Sequence, residues 1–357
     1  MKSIKYFFVY LLPVSVYVAF NTLGLLTFLP VILFFGLVPI LELVVKPDAA
    51  NMDKKIAHDE KNKTLYDWIL YLAVPVQVGF LVYFLGIIQD TPIGSIEFIG
   101  RVTSMGLMCG VLGINVGHEL GHRLNRTEQF LGEILLLTSL DTHFLPYHNG
   151  GHHRNVATPR DSATAKKNEW LFTFWITSHF GSYAEAWKLE NSRMRKLNQP
   201  VFSLNNRMVG YSIANMSLLF AVYYFFGVHV LIGFTTAAIM GILLLETVNY
   251  IEHYGLLRKK NESGVYEPVR HQHSWNSDHP IGRAFLFNLS RHSDHHYNGS
   301  KKYQILESLP SSPQMPTGYP GMMVLAVLQP LWFMVMNKKL RKHEMKEAPV
   351  QTASFTQ

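Results

Sequence analysis

The amino-acid sequence predicts an all-α integral membrane protein, six transmembrane helices carrying a histidine-rich cap on the cytoplasmic side. Three observations lead there. Apolar residues make up 48% of the 357 against 16% charged, and they come in long uncharged blocks. The Lys and Arg residues are confined to alternate connecting segments. Nine of the seventeen histidines gather where apolar blocks meet polar ones on one side.

Between Ile4 and Val45 only Lys5 and Glu42 are charged. That is length for two helices of ~20 residues, expected at about 4–20 and 24–45, with Pro13 and residues 21–24 offering the bend. Further spans are expected at about 66–88, 98–117, 208–226 and 230–250. Six crossings return the chain to its starting side, so the inserts 46–65, 118–207 and 251–337 share one face. With the N-terminus inside, the outer segments 21–22, 89–97 and 227–229 contain no Lys or Arg. Of the 32 basic residues only Arg101 falls in the outer half of a span, as the positive-inside rule requires. The start, Met1 to Lys5, could pass for a signal-peptide n-region, but no small-x-small cleavage site follows, so it reads as a retained first helix.

Residues 1–337 read as a single membrane-embedded domain without tandem repeats, and 338–357 as a flexible tail. In the fourth span Gly106, Gly110, Gly113, Gly117 and Gly121 recur every three or four residues, a stripe that lets another helix approach closely. Residues 322–336 are apolar but short for a crossing, and are expected at the interface or against the core. The lone cysteine, Cys109, excludes an internal disulfide and a thiolate metal site, so any metal is held by nitrogen or oxygen. The net charge of +7 suits anionic headgroups or an acidic protein docking on the inner face, and an ordinary solvated surface explains it as well. No nucleic-acid partner is expected.

Nine histidines form clusters at the inner ends of the spans: His118 and His122; His148, His152 and His153; His253; and His292, His295 and His296. The four-residue spacing of the first pair puts both rings on one helix face. Neutral imidazole binds Fe, Zn, Cu and Ni, and nine rings exceed the four to six positions of one ion, so two metals are expected. The other eight histidines read as ordinary structural residues, with His143 and His273 the nearest to the site. The first cluster also fits H-E-x-x-H, in which Glu119 would be the general base of a zinc protease. A zincin takes three protein ligands, which leaves seven histidines outside the motif unexplained. Liganding imidazoles usually give their second N–H to a carboxylate or carbonyl. Asp141, Asp161, Glu246, Glu252 and Asp294 are within reach of the clusters, and Glu119 becomes a residue behind the ligands. Glu246 lies inside the sixth span on one face with Asn249 and His253, and an ionisable group there is a functional candidate; a buried glutamate paired with Arg101 or a backbone group is the plainer reading.

The set His118-Glu-Leu-Gly-His-Arg123, His148-Asn-Gly-Gly-His-His153, Asn249-Tyr-Ile-Glu-His-Tyr-Gly-Leu256 and Arg291-His-Ser-Asp-His-His296 resembles the membrane alkane 1-monooxygenases. Asp161-Ser-Ala-Thr164, His273-Ser-Trp-Asn-Ser277 and Pro316-Thr-Gly-Tyr-Pro-Gly321 support the resemblance, which covers about residues 66–335. The three histidine boxes alone are shared with fatty-acyl desaturases and hydroxylases and with xylene monooxygenases. The family usually has Glu where this chain has Tyr147, and Ala-His-Pro where it has Tyr297-Asn298-Gly299. The resemblance implies two non-haem irons held by the nine histidines, and hydroxylation of the terminal methyl of a medium-chain n-alkane with O2. It also implies electrons from a separate rubredoxin fed by an NAD(P)H-dependent reductase, since the chain has neither cysteine pairs nor a nucleotide-binding glycine motif. The setting it implies is the bacterial inner membrane, with the active site on the cytoplasmic side.

Overall fold

The computed structural model describes residues 2–347, and among these no strand forms beyond two isolated bridges, Lys260 to Tyr266 and Asn276 to Gln314. The main helices are α1 (Ile4–Phe20), α2 (Gly24–Val44), α3 (Lys54–Lys61), α4 (Thr64–Gln89), α5 (Ile96–Gly121), α6 (Arg126–Leu137), α7 (Leu171–Lys196) and α8 (Arg207–His253). The shorter α9 (His292–Tyr297), α10 (Tyr319–Val327) and then α11 (Gln329–Glu347) follow.

Four helices, α2, α4, α5 and α8, are long and apolar enough to cross a membrane, and α1 is a shorter apolar helix. A straight helix of 47 residues, the length of α8, would reach about 70 Å, more than twice a ~30 Å hydrocarbon layer. Gly227 breaks it, at φ 81° and ψ 177°, a conformation side chains with a Cβ avoid. The expected fifth and sixth spans are the two limbs of α8.

Polar side chains set the helix starts. Ser95, Asn125 and Asn206 accept hydrogen bonds from the first-turn N–H groups of Phe98, Thr127 and Met208 at 3.0, 2.8 and 3.0 Å. The expected outer segments meet one another: Gly24 N–H donates to Glu97 at 2.9 Å, Arg101 donates to Thr91 at 2.6 Å, and His229 Nε2 lies 2.8 Å from the Thr91 carbonyl. Arg101 is therefore held at that end and does not pair with Glu246. Along α5, the 22 steps from Ile96 to His118 at ~1.5 Å rise put His118 roughly 30 Å from this junction.

The core between α1, α4, α5 and α8 is built on Tyr6, Tyr66, Phe84, Met105 and Phe234. The glycine stripe of α5 serves two partners. A Cβ on Gly106 would lie 2.7 Å from Met240 Cβ of α8, and one on Gly117 would lie 3.0 Å from Leu136 of α6. Residues 109–115 of α5 form a π-helical turn just before His118, a feature common near functional sites.

One expectation is filled in and one changes. The insert 118–207 is largely helical, and α7 packs on α8, with Trp175 Nε1 donating to Thr247 at 3.0 Å. Residues 338–347, expected to begin a flexible tail, continue α11. Their charges hide a stripe at Trp332, Met336 and Leu340, four residues apart and buried in the core with Tyr250 and Tyr254. The tail beyond 347 lies outside the described residues. Residues 322–336 pack against the same core, as expected.

Candidate metal centre

Each histidine cluster is presented by an element that ends at the same place. His118 and His122 close α5, His253 closes α8, and α9 carries His292, His295 and His296. His148 to His152 form a π-helical turn that runs straight on from the short helix Phe144–Tyr147.

In space the nine rings divide differently from the sequence. His118, His122, His148, His153 and His295 form one group, and His152, His253, His292 and His296 the other, each with its ligand atoms within 4.8 Å of one another. The neighbours His152 and His153 fall in different groups, as do His295 and His296. In the first group Nε2 faces Nε2: His118 to His122 at 3.0 Å, His118 to His295 at 3.1 Å, His122 to His148 at 3.1 Å and His148 to His153 at 3.0 Å. In the second, His253 Nε2 lies 3.2 Å from His292 Nε2.

The donor set fits metal ions. Burial, reinforced by the neighbouring imidazoles, holds His148, His292, His295 and His296 well below the usual 6.5, and His153 is lowered to about 3. The rings are then neutral with lone pairs turned inward, and the buried Nε2 atoms of His152 and His296 have no hydrogen-bond partner. A cation at each group satisfies these nitrogens together.

The carboxylates divide into those that touch the rings and those that do not. Asp161 Oδ2 lies 2.9 Å from His152 Nδ1, and Asp161 accepts further bonds from Tyr147 at 2.5 Å and Thr164 at 2.6 Å. Burial by itself would raise this carboxyl; His152 beside it, with the hydrogen bonds it receives, brings it to about 2. Ionised Asp161 therefore holds the Nδ1–H tautomer of His152 and leaves Nε2 bare. Glu252 Oε2 lies 3.1 Å from His292 Nε2, while Tyr319 donates to its Oε1 at 2.7 Å. This corrects the expected role of Glu252. Its carboxylate stands at the ring nitrogen that faces His253, not behind the ring.

Glu119, Asp294, Asp141 and Glu246 make no such contact. Glu119 pairs with Arg123 at 3.0 Å, and Arg123 reaches Asp67 at 3.2 Å, which also holds Lys302 at 2.9 Å. A protease base would have to be free to work on water. Asp294 holds Lys301 at 2.7 Å and the Glu307 N–H at 2.8 Å, fixing the loop that covers α9. Asp141 meets His143 at 3.1 Å, and Glu246 accepts from Asn249 at 3.3 Å. His273 is 3.4 Å from Glu267 and braces its own loop.

An apolar cavity opens onto both groups. Its walls are Phe34 of α2, Val111 and Ile114 of α5, and Leu244 and Val248 of α8; His118, His148, His292, Glu252 and Asn249 also line it.

The fatty acid desaturase profile matches residues 97–326. Alkane 1-monooxygenase 1 of Alcanivorax borkumensis is 37% identical over 305 residues, 85% of this chain and 75% of the relative. Alkane 1-monooxygenase 1 of Pseudomonas aeruginosa is 38% identical over 315 residues, 88% and 82%. The chain belongs to the alkane 1-monooxygenase family. A more distant relative, the xylene/toluene monooxygenase hydroxylase component of Pseudomonas putida, is 28% identical over 288 residues, 79% of this chain and 76% of the relative.

Both departures from the family pattern find roles. Tyr147 holds Asp161 by its hydroxyl, which also accepts the Ala163 N–H at 3.1 Å. Gly299 lies against the first group: a Cβ there would be 3.1 Å from His153 Cε1 and 3.7 Å from His122 Cε1. Sequence reasoning assigned no role to Tyr147, Thr164, Tyr319 or Gly299. The motifs Asp161 to Thr164 and Pro316 to Gly321 carried the signal for two of them. The second motif also lodges Glu42, whose Oε1 accepts the Gly282 N–H at 2.8 Å.

Proposed function

We propose that this alkane 1-monooxygenase family member is a non-haem diiron enzyme that hydroxylates the terminal methyl of a medium-chain n-alkane to the 1-alcohol. The observation that carries this reading is the pair of buried imidazole groups opening onto one apolar cavity. The reaction is R–CH3 + O2 + 2 e− + 2 H+ → R–CH2OH + H2O. Two irons, when bound, supply the O2 chemistry, with His118, His122, His148, His153 and His295 holding one and His152, His253, His292 and His296, beside Glu252, the other. Asp161 fixes the His152 tautomer and Tyr319 the Glu252 carboxylate. The cavity walls take the alkyl chain, exclude water, and direct one end of the chain at His118, His148 and His292.

The topology we infer is six spans in a bacterial inner membrane: α1, α2, α4, α5 and the two limbs of α8, with the metal centre on the cytoplasmic side. The Lys and Arg distribution and the meeting of the charge-poor loops at the far end support it. Electrons come from rubredoxin, reduced by an NAD(P)H-dependent reductase. Its acidic surface would meet the exposed Arg154, Lys166 and Lys167 near the second histidine cluster. Neutralising these three raises the Michaelis constant for rubredoxin; an unchanged titration removes this docking face. The xylene/toluene relative supports a second reading, hydroxylation of an aryl methyl group.

The deciding experiment is metal analysis of the purified protein together with product analysis, using octane, rubredoxin, reductase and NADH. Iron in the protein with 1-octanol formed is the expected result. Iron without alcohol points to aryl or acyl substrates, and zinc alone overturns the diiron assignment.

A further inference from the structure

Beside the nine-histidine centre lies a second buried polar group that the reaction above does not use. Asp141 and His143 precede the short helix Phe144–Tyr147, His179 and Ser182 lie on α7, and Glu246 on α8. Asp141 is 1%, Glu246 2% and His143 6% exposed. Ligand atoms of Asp141, His143 and His179 lie within 4.8 Å of one another, and Glu246 Oε1 is 3.9 Å from His179 Nδ1.

Hydrogen bonding fixes the His143 tautomer. The single hydroxyl proton of Ser182 goes to the His179 carbonyl at 2.8 Å. Ser182 Oγ therefore accepts from His143 Nε2 at 3.2 Å, and His143 carries its proton on Nε2. Burial lowers His143 to about 3, so the ring is neutral. Its bare Nδ1 lone pair then faces Asp141 Oδ1 at 3.1 Å, and Asp141 Oδ2 is buried with no partner. Burial raises the Asp141 carboxyl well above its usual range, so either a proton or a metal ion must lie between these two acceptors. Among the described residues no Lys or Arg bonds or pairs with Asp141 or Glu246; Glu246 is met by Ser178 and Asn249, and Asp141 by His143. Two buried carboxylates without a counter-charge are costly.

We propose that Asp141, His143 and His179 bind a single divalent transition-metal ion, with Glu246 as a further oxygen donor, separate from the nine-histidine centre. Two imidazoles with carboxylates suit Zn2+ or Fe2+. Bonds of ~2.1 Å put tetrahedral donors about 3.4 Å apart, close to the Asp141–His143 spacing. His179, at 29% side-chain exposure, is the donor that moves in. The ion would tie together residues 141–143, α7 and α8. Residues 141–143 lead into Phe144, whose ring stacks on His148 at 4.5 Å, so the ion would also steady that wall of the centre.

The site does not rest on the diiron reading, because its test is a difference. Wild-type protein, Asp141→Asn and His179→Gln are purified in detergent, supplied with Fe2+ and Zn2+, desalted and counted for metal. Both variants should hold one ion per chain fewer than the wild type. The ion lost should show a two-imidazole, oxygen-containing shell in the wild-type X-ray absorption spectrum at its edge. Equal metal content in all three proteins overturns the site and leaves Asp141 as a protonated acid donating to His143. Should neither variant fold, the wild type decides alone, since an absorption spectrum fitted entirely by the nine-histidine shells is equally fatal.

Discussion

The two imidazole groups are unlike each other. The first is made of five nitrogens, with His122 and His153 partly exposed; the second has four fully buried nitrogens and the Glu252 carboxylate. The first is covered from outside by the backbone of Gly299, whereas the second is braced from behind by Asp161 and Tyr319. Both reach the cavity, the first through His118 and His148 and the second through His292 and Glu252. One group therefore has a spare nitrogen, and the other depends on every donor and on its supports.

Ligand removal breaks this comparison most directly. His253→Ala leaves the second group three nitrogens, and the nine-histidine centre should retain about one of its two ions, with hydroxylation abolished. His295→Ala leaves the first group four, and its ion should stay bound with weaker affinity. Equal metal loss in both variants would show that the spare nitrogen does not matter. A smaller effect is expected from Asp161→Asn, which takes away the acceptor that sets the His152 tautomer. Metal affinity of the second group should fall about 10–100-fold while the first keeps its ion, read by titration with a chelator. Tyr319→Phe removes one hydrogen bond to a carboxylate, of about 1.5–3 kcal/mol. It should lower stability by up to that amount and reduce activity, while the Tyr319 ring itself remains buried in its core.

Much of this was legible in the sequence, for identifiable reasons. Imidazoles at helix ends betray a metal site because burying nine of them has no other economy, and the helical periods of α4, α5 and α8 follow from apolar length alone. The pairing of the nine was hidden: adjacent residues such as His152 and His153 point apart on one helical turn, and the chain order does not say which ring meets His295. Glu252 was found but misassigned, since its side depends on how α8 faces α9. Tyr147 read only as a departure from the family pattern because its role rests on Asp161, fourteen residues later. Asp141, His143 and Glu246 were each singled out, but not as one group with His179, since that needs α7 folded onto α8, and α7 lay inside a stretch that looked merely polar.

The last effect concerns protons in the metal-free protein. His148, His153, His292, His295 and His296 are lowered by burial in the folded state, whereas in the unfolded chain each titrates near 6.5. Below that pH the unfolded chain binds more protons than the folded one, so stability rises with pH up to about 6.5 and levels off above it. Each group contributes at most ~1.4 kcal/mol per pH unit inside that window. Chelated protein in detergent should therefore melt at falling temperature as pH drops from 6.5 towards 5, and at constant temperature from 7 to 8. Metal-loaded protein should resist the drop, because protons must first displace the ions. The comparison sharpens here: the second group, with no ring at the surface, should give up its ion at a lower pH than the first. Release in the opposite order would mean that the spare nitrogen outweighs burial.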